Sequence, residues 1–167
     1  STRRAIRNKY DPYLIVFNRL EHYIAMGKVP DKAEIIIQGG TFTFFPKAYQ
    51  EYFVKYALKA MNDFSRLFFD NGELNIAKFK KFFELPRIMG EEDKRTKNIQ
   101  QKLFYIKNLD LNNLEVKKSI EELFFNEDIS EFFENGKMFN ASGEFENNQQ
   151  NEITVSAQDT LLNLIEI

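Results

Sequence analysis

The sequence predicts an α/β fold, predominantly helical with few strands. An amphipathic helix opens at Asp11-Pro12, a continuous β-branched run Ile35-Ile36-Ile37 stops at Gly39-Gly40, and a second amphipathic helix follows Pro46. Helix, strand, glycine loop, helix is an order that belongs to α/β architecture. Hydrophobicity that is continuous rather than alternating fits a strand covered on both faces, as in parallel sheets.

Residues 1–9 form a basic segment without strong periodicity. Asp11 is placed to cap free backbone N–H groups, and Pro12 suits the first helical position, where its missing N–H costs nothing. Tyr13, Phe17, Leu20 and Ile24 then draw one apolar face, and Gly27 supplies the left-handed residue that ends many helices. After a turn over residues 28–32, Ala33 to Ile37 reads as a buried strand. The helix from Pro46 to about Phe64 places Tyr49, Phe53, Ala57, Ala60 and Phe64 on one side, and Glu51 with Lys55 makes a favourable i,i+4 pair.

Asn71-Gly72 marks a turn, and Ile76, Phe79, Phe82 and Phe83 suggest a short helix stopped by Pro86. Gly90 and the acids Glu91, Glu92 and Asp93 open a helix running through Ile99, Leu103 and Ile106 to about Lys107, with negative charge at the favoured end. Another runs from Leu114 to Phe125, with Val116, Ile120, Leu123 and Phe124 inward. Residues 128–134 read as a further helical turn, 140–152 as a polar linker, and Ser156 with Asp159 as a capping box before Leu161, Leu164 and Ile165. Nothing repeats at a fixed period.

With 167 residues and 43% hydrophobic content, the chain suits one domain with a modest core. Eighteen Phe and seven Tyr supply much of its apolar area. The absence of cysteine removes disulfides, thiolate zinc sites, thiolate-held iron–sulfur clusters and cysteine nucleophiles together. A single histidine, His22, excludes a His-based triad or a multi-histidine metal site. No apolar run is long enough for a membrane span and no secretory core lies near Arg3, Arg4 and Arg7, so a cytoplasmic location with no membrane partner is expected.

Charge is uneven. Residues 1–66 hold eleven Lys/Arg against six Asp/Glu, and residues 67–167 hold twelve against nineteen. The first part therefore either meets an anion such as RNA or presents an ordinary solvated basic surface.

The segment EIIIQGGTFTFFP has the most distinctive local chemistry. Two glycines after a strand either let the backbone approach a ligand or simply form a tight turn, and α/β folds place ligands at the C-terminal ends of parallel strands. The RAIRNKYDPY block at Arg4 to Tyr13, KAEIIIQGGTF at Lys32 to Phe42 and the following PKAYQEYF helix occur in an order and spacing that resemble the Elongator catalytic-subunit family, archaeal members above all, over roughly residues 1–65. The likeness weakens over 66–118 and ends near 126.

That resemblance implies a fragment of a partial TIM-like radical-SAM barrel. The family's members are tRNA carboxymethyluridine synthases acting on the wobble uridine, with S-adenosylmethionine (SAM), a [4Fe-4S] cluster on three cysteines, and acetyl-CoA as cosubstrate. By the same resemblance, Gly39, Gly40 and Thr41 stand where SAM's amino group is contacted, and Arg3, Arg4, Arg7 and Lys9 match the basic block that meets tRNA. For Tyr10 and Tyr13, packing at the helix start is the expected role.

The resemblance divides the chain into a barrel portion at 1–66, a helical acidic extension at 67–139, and a polar linker with a short unmatched segment at 140–167. The cluster's three cysteines have no counterpart here, so the chain is expected to be inactive alone and to need upstream and downstream parts of the same enzyme. The alternative is a non-catalytic, helix-rich RNA-binding or protein-interaction module from a truncated gene, in which Phe124, Phe125, Phe132 and Phe133 form either helix core or an apolar docking face.

Overall fold

The computed structural model describes residues 2–37 and 40–125. Six helices account for most of them: α1 Thr2–Arg7, α2 Pro12–Ala25, α3 Lys47–Phe68, α4 Ile76–Phe82, α5 Glu92–Lys107 and α6 Leu114–Phe125. A single 3-10 turn, Phe42–Phe44, precedes α3, and a hairpin of β1 Phe69–Asp70 and β2 Glu73–Leu74 follows it.

Local chemistry places the ends of these elements. Asp11 Oδ1 accepts from the backbone N–H groups of Tyr13 (2.9 Å) and Leu14 (3.1 Å), with Pro12 in the first turn of α2. At the other end Gly27 adopts φ 79°, and Lys28 N–H donates to the Tyr23 carbonyl at 2.9 Å, closing the helix through a left-handed residue. Asn71 and Gly72, with φ of 52° and 83°, form the tight turn that matches the twist of a two-stranded hairpin, and Phe69 pairs with Leu74. Asn75 then caps α4 by accepting from Lys78 N–H at 3.1 Å, and donates to Asp70 at 2.8 Å.

One hydrophobic cluster joins all of this. It takes Tyr13, Leu14 and Phe17 from α2, Ala60, Phe64, Leu67 and Phe68 from α3, Phe79 and Phe82 from α4 with Phe83 beyond it, Leu103 and Ile106 from α5, and Ile120 and Phe124 from α6. Phe68 lies near its centre, edge-on to Phe79 (5.8 Å, 83°), Phe82 (5.3 Å, 72°) and Phe64 (4.7 Å, 66°). Such edge-to-face contacts set the ring quadrupoles in their favoured arrangement.

Several expectations are corrected. Ala33–Ile37 has no regular secondary structure and is not a strand, and it is not buried: Ile36 is 76% exposed. A strand exists through its ladder, and the sheet among the described residues is the two-stranded β1–β2 pair. The helix from Pro46 continues to Phe68, four residues past the expected Phe64, because Leu67 and Phe68 extend its buried stripe. Glu51 pairs with Lys47 at 3.6 Å rather than with Lys55, whose ammonium lies over the Tyr56 ring. The basic segment at the start is helical over Thr2–Arg7. The described chain is thus mostly helical with two short strands. The expectations for 128–134, 140–152 and the segment from Ser156 lie outside the described residues, and no described helix is long and apolar enough to cross a membrane.

Phe68→Ala should lower the unfolding free energy by about 3–5 kcal/mol through lost burial and the cavity left among the neighbouring rings. Urea denaturation of the full chain measures this, and a loss below about 1 kcal/mol would mean that the ring cluster is not the centre of the core.

Candidate functional site

The candidates from sequence fall in two places. Thr41 precedes the 3-10 turn, and Gly40 beside it has φ 34° in the left-handed region; both are exposed. A Cβ added at Gly40 would meet nothing within 4 Å. The loop therefore offers accessible backbone groups and a hydroxyl that suit an ammonium donor, but no described residue closes over Gly40. Gly39 lies outside the described residues.

The basic block lies elsewhere, on α1 and the turn after it. Arg3, Arg7 and Lys9 are exposed and Arg4 is half-buried. Lys9 and Tyr10, with φ of 53° and 55°, form a left-handed turn between α1 and α2. Gln100 Nε2 donates to the Arg7 carbonyl at 2.8 Å, and the Lys9 ammonium sits 5.3 Å from the centre of the Phe104 ring. Arg7 also borders a cleft of about 340 Å³ shared with Asn18, Glu21, Arg87, Glu92 and Arg95. Its acids offset its arginines, so this cleft is not an anion site by charge alone. Glu21, only 3% exposed, is held by Arg95 at 2.5 Å and Arg87 at 3.5 Å.

A third place holds a network that sequence reading missed. Asp11 Oδ2 accepts from Lys107 Nζ (2.5 Å) and from the Tyr52 hydroxyl (3.2 Å), while Lys107 also meets the Tyr52 oxygen at 2.6 Å. A second trio stands beside it: Asp63 Oδ2 accepts from the Tyr13 hydroxyl at 2.8 Å and from Lys59 Nζ at 2.5 Å. Burial pushes the Lys107 ammonium below its ordinary value, opposed by Asp11. Burial raises the Asp63 carboxyl, opposed by the hydrogen bonds from Lys59 and Tyr13. Burial first, and Asp63 second, raise the Tyr13 phenol well above 10.0. Among the described residues no buried side-chain polar atom lacks a partner, so these trios act as closed structural ties.

A trace of them was in the sequence. Asp63 falls within the stripe of Ala60, Phe64 and Leu67, and Lys107 follows Leu103 and Ile106 at helical spacing. Charges inside an apolar stripe must be paired to be tolerated. Tyr13 is fully buried, as its expected packing role requires, and Tyr10 is half-buried in the turn before α2.

Metal chemistry meets a plain limit. The sequence has no cysteine, and among the described residues no group of three or more His, Cys, Asp or Glu is placed to hold a metal ion. The residues present do not fit a thiolate-held iron–sulfur cluster.

Comparison with known proteins gives partial matches. The chain is 46% identical over 52 residues to Elongator complex protein 3 of Bos taurus, covering 31% of this chain and 10% of that protein. It is 34% identical over 84 residues to Elongator complex protein 3 of Drosophila melanogaster, covering 50% of this chain and 14% of that protein. It is 41% identical over 63 residues to the tRNA uridine(34) acetyltransferase of Methanocaldococcus infernus, covering 38% of this chain and 12% of that protein. The chain thus aligns with a small part of the length of these relatives, and animal and archaeal proteins match at comparable identity. No family model and no solved structure matches. Over these stretches the chain is similar to the Elongator catalytic subunit, consistent with a fragment of it.

Tyr13→Phe should lower stability by about 1–3 kcal/mol near neutrality, since buried Asp63 loses a donor. It should also flatten the alkaline limb of the stability profile. The folded-state phenol titrates above 10.0, so its contribution is whole below that pH and is lost as pH rises toward the folded value. Urea midpoints between neutral pH and pH above 10 check this; an unchanged alkaline slope would mean that Tyr13 is not protected in the folded state.

Proposed function

We propose that this chain supplies part of the SAM- and tRNA-facing surface of a radical-SAM tRNA-modifying enzyme acting on wobble uridine with acetyl-CoA. The observation that carries the reading is the 46% identity over 52 residues to Elongator complex protein 3, together with a relative named for acetyl transfer to tRNA uridine(34). In this reading Gly39, Gly40 and Thr41 offer hydrogen-bonding groups to the methionine end of SAM, and Arg3, Arg4, Arg7 and Lys9 meet tRNA phosphates, where each neutralised phosphate adds salt-dependent affinity. Ile35–Ile37 becomes a strand of a TIM-like barrel only when a neighbouring strand completes its ladder. The thiolates for a [4Fe-4S] cluster come from polypeptide other than the sequence described.

A second reading, a non-catalytic helix-rich RNA-binding or protein-interaction module, is favoured by a different observation. The helical core is closed around paired polar groups, and among the described residues no buried side-chain polar atom lacks a partner.

The readings part on two measurements. Titration calorimetry of the chain with SAM should give heat that Thr41→Val reduces; salt-dependent tRNA binding with no SAM heat would favour the module. Co-expression with polypeptide bearing the cysteine motif and the remaining barrel should restore wobble-uridine modification. Arg3→Gln with Arg7→Gln should weaken tRNA binding and make the log–log salt dependence shallower by about 1–2. Neither association nor modification in that co-expression would defeat the enzyme reading.

A further inference from the structure

The segment leaving Gly40 and Thr41 is tied to α3 by Gln50, a residue outside the hydrophobic core. Gln50 lies near the start of that helix, with its own N–H on the Pro46 carbonyl at 3.1 Å. Its side-chain amide carries two hydrogens, and both go to the chain just after the glycine loop. Nε2 donates to the Thr43 carbonyl at 3.1 Å and to the Phe45 carbonyl at 2.7 Å.

The bond to Thr43 reaches beyond its own atoms. The Thr43 carbonyl and the Phe44 N–H belong to one planar peptide unit, and that N–H donates to the Thr41 carbonyl at 2.7 Å. Holding one end of a rigid plane aims the other. Gln50 thus acts on the Thr41 carbonyl through a single peptide group, and hydrogen bonds joined in series strengthen one another.

Ring contacts fasten the same arm of the loop: Phe42 packs 5.7 Å from Phe53, and Phe45 lies 5.1 Å from Tyr49. On the other side of the glycines, Ile35–Ile37 has no ladder. Among the described residues, the loop's geometry is therefore set from its downstream arm. A carbonyl oxygen has two acceptor sites. At Thr41 the Phe44 N–H takes one, leaving the other for a donor such as an ammonium group, and Gly40 and Thr41 are exposed.

We propose that Gln50 is a positioning residue for the glycine loop, holding the Thr41 carbonyl in the orientation that accepts from a ligand's ammonium group. The proposal rests on the reading of this loop as a contact for the amino group of SAM, and adds to it a residue that itself touches no ligand. Substitution at Gln50 should leave the fold standing, since Gln50 is half-buried, Thr43 is exposed and neither belongs to the core cluster.

Gln50→Met nearly keeps the side chain's length and removes both donors, whereas Gln50→Lys returns donors on a chain one atom longer. Amide hydrogen exchange and titration calorimetry with SAM are measured on the full parent chain and on both variants. In Gln50→Met the Phe44 amide should exchange about tenfold faster through local opening, with the Phe68 amide in the core unchanged. SAM affinity should fall by a similar factor, because it scales with the fraction of molecules holding the competent loop. Gln50→Lys should recover most of both. An unchanged Phe44 amide in Gln50→Met would overturn the proposal. So would faster exchange at the parent's SAM affinity, which would make Gln50 a structural tie alone, or a loss that Gln50→Lys does not recover. Absence of SAM heat from the parent chain itself defeats the SAM reading and the positioning role with it, an outcome distinct from all of these because no variant enters it.

Discussion

A single carboxylate, that of Asp11, ties three helices. One oxygen closes the N-terminus of α2 by accepting from Tyr13 and Leu14 N–H, and the other neutralises Lys107 at the end of α5 while accepting from Tyr52 on α3. A lysine with no exposed surface is intolerable without such a partner, and removing one member of a buried pair costs about 3–5 kcal/mol because the remaining charge stays in a poor solvent. The geometry also constrains register: α5 must end where its ammonium meets a carboxylate whose position is already fixed by the start of α2. Apolar packing alone tolerates sliding; a buried charge pair does not.

Around that tie the phenylalanine cluster supplies much of the burial, with Asp63 and Lys107 set within its apolar stripes. Tyr13 joins them. Its ring packs 4.8 Å from Phe17, and its hydroxyl reaches Asp63 at 2.8 Å. Hence the YDPY block, which sequence resemblance associates with a catalytic family, serves here to anchor the helical core. In this fold Asp11, Pro12 and Tyr13 are buried, Tyr10 is half-buried, and Asp11 and Tyr13 are held by hydrogen bonds.

Much of this was legible in the sequence, and what was not has an identifiable reason. The helices at Pro12, Glu92 and Leu114 were readable because capping and 3.6-residue periodicity are local properties, and the Asn71-Gly72 turn because its backbone needs those residue types. Ile35–Ile37 misled because β-branched side chains report a preference for extended backbone, whereas a strand requires a partner that local sequence does not supply. The buried Lys107 and Asp63 were missed because a charge is ordinarily read as solvated. Their placement inside apolar stripes was the available clue, and it becomes decisive only when helices distant in sequence are brought together.

The exposed segment before Gly40 bears on any ligand the glycine loop receives. A loop binds well when its donors and acceptors are fixed in advance, and in α/β folds the preceding strand does the fixing through its ladder. Here Ile35–Ile37 has no ladder, so in the proposed reading the ligand-competent loop geometry is one arrangement among those an unpaired segment can visit. Apparent affinity falls by the fraction of molecules in that arrangement. Anything that pairs with the segment raises this fraction, and a ligand that requires the ordered loop must favour the pairing in return, because linkage is reciprocal. In the proposed reading, strand completion and ligand capture at Gly40 and Thr41 are in this way a single equilibrium.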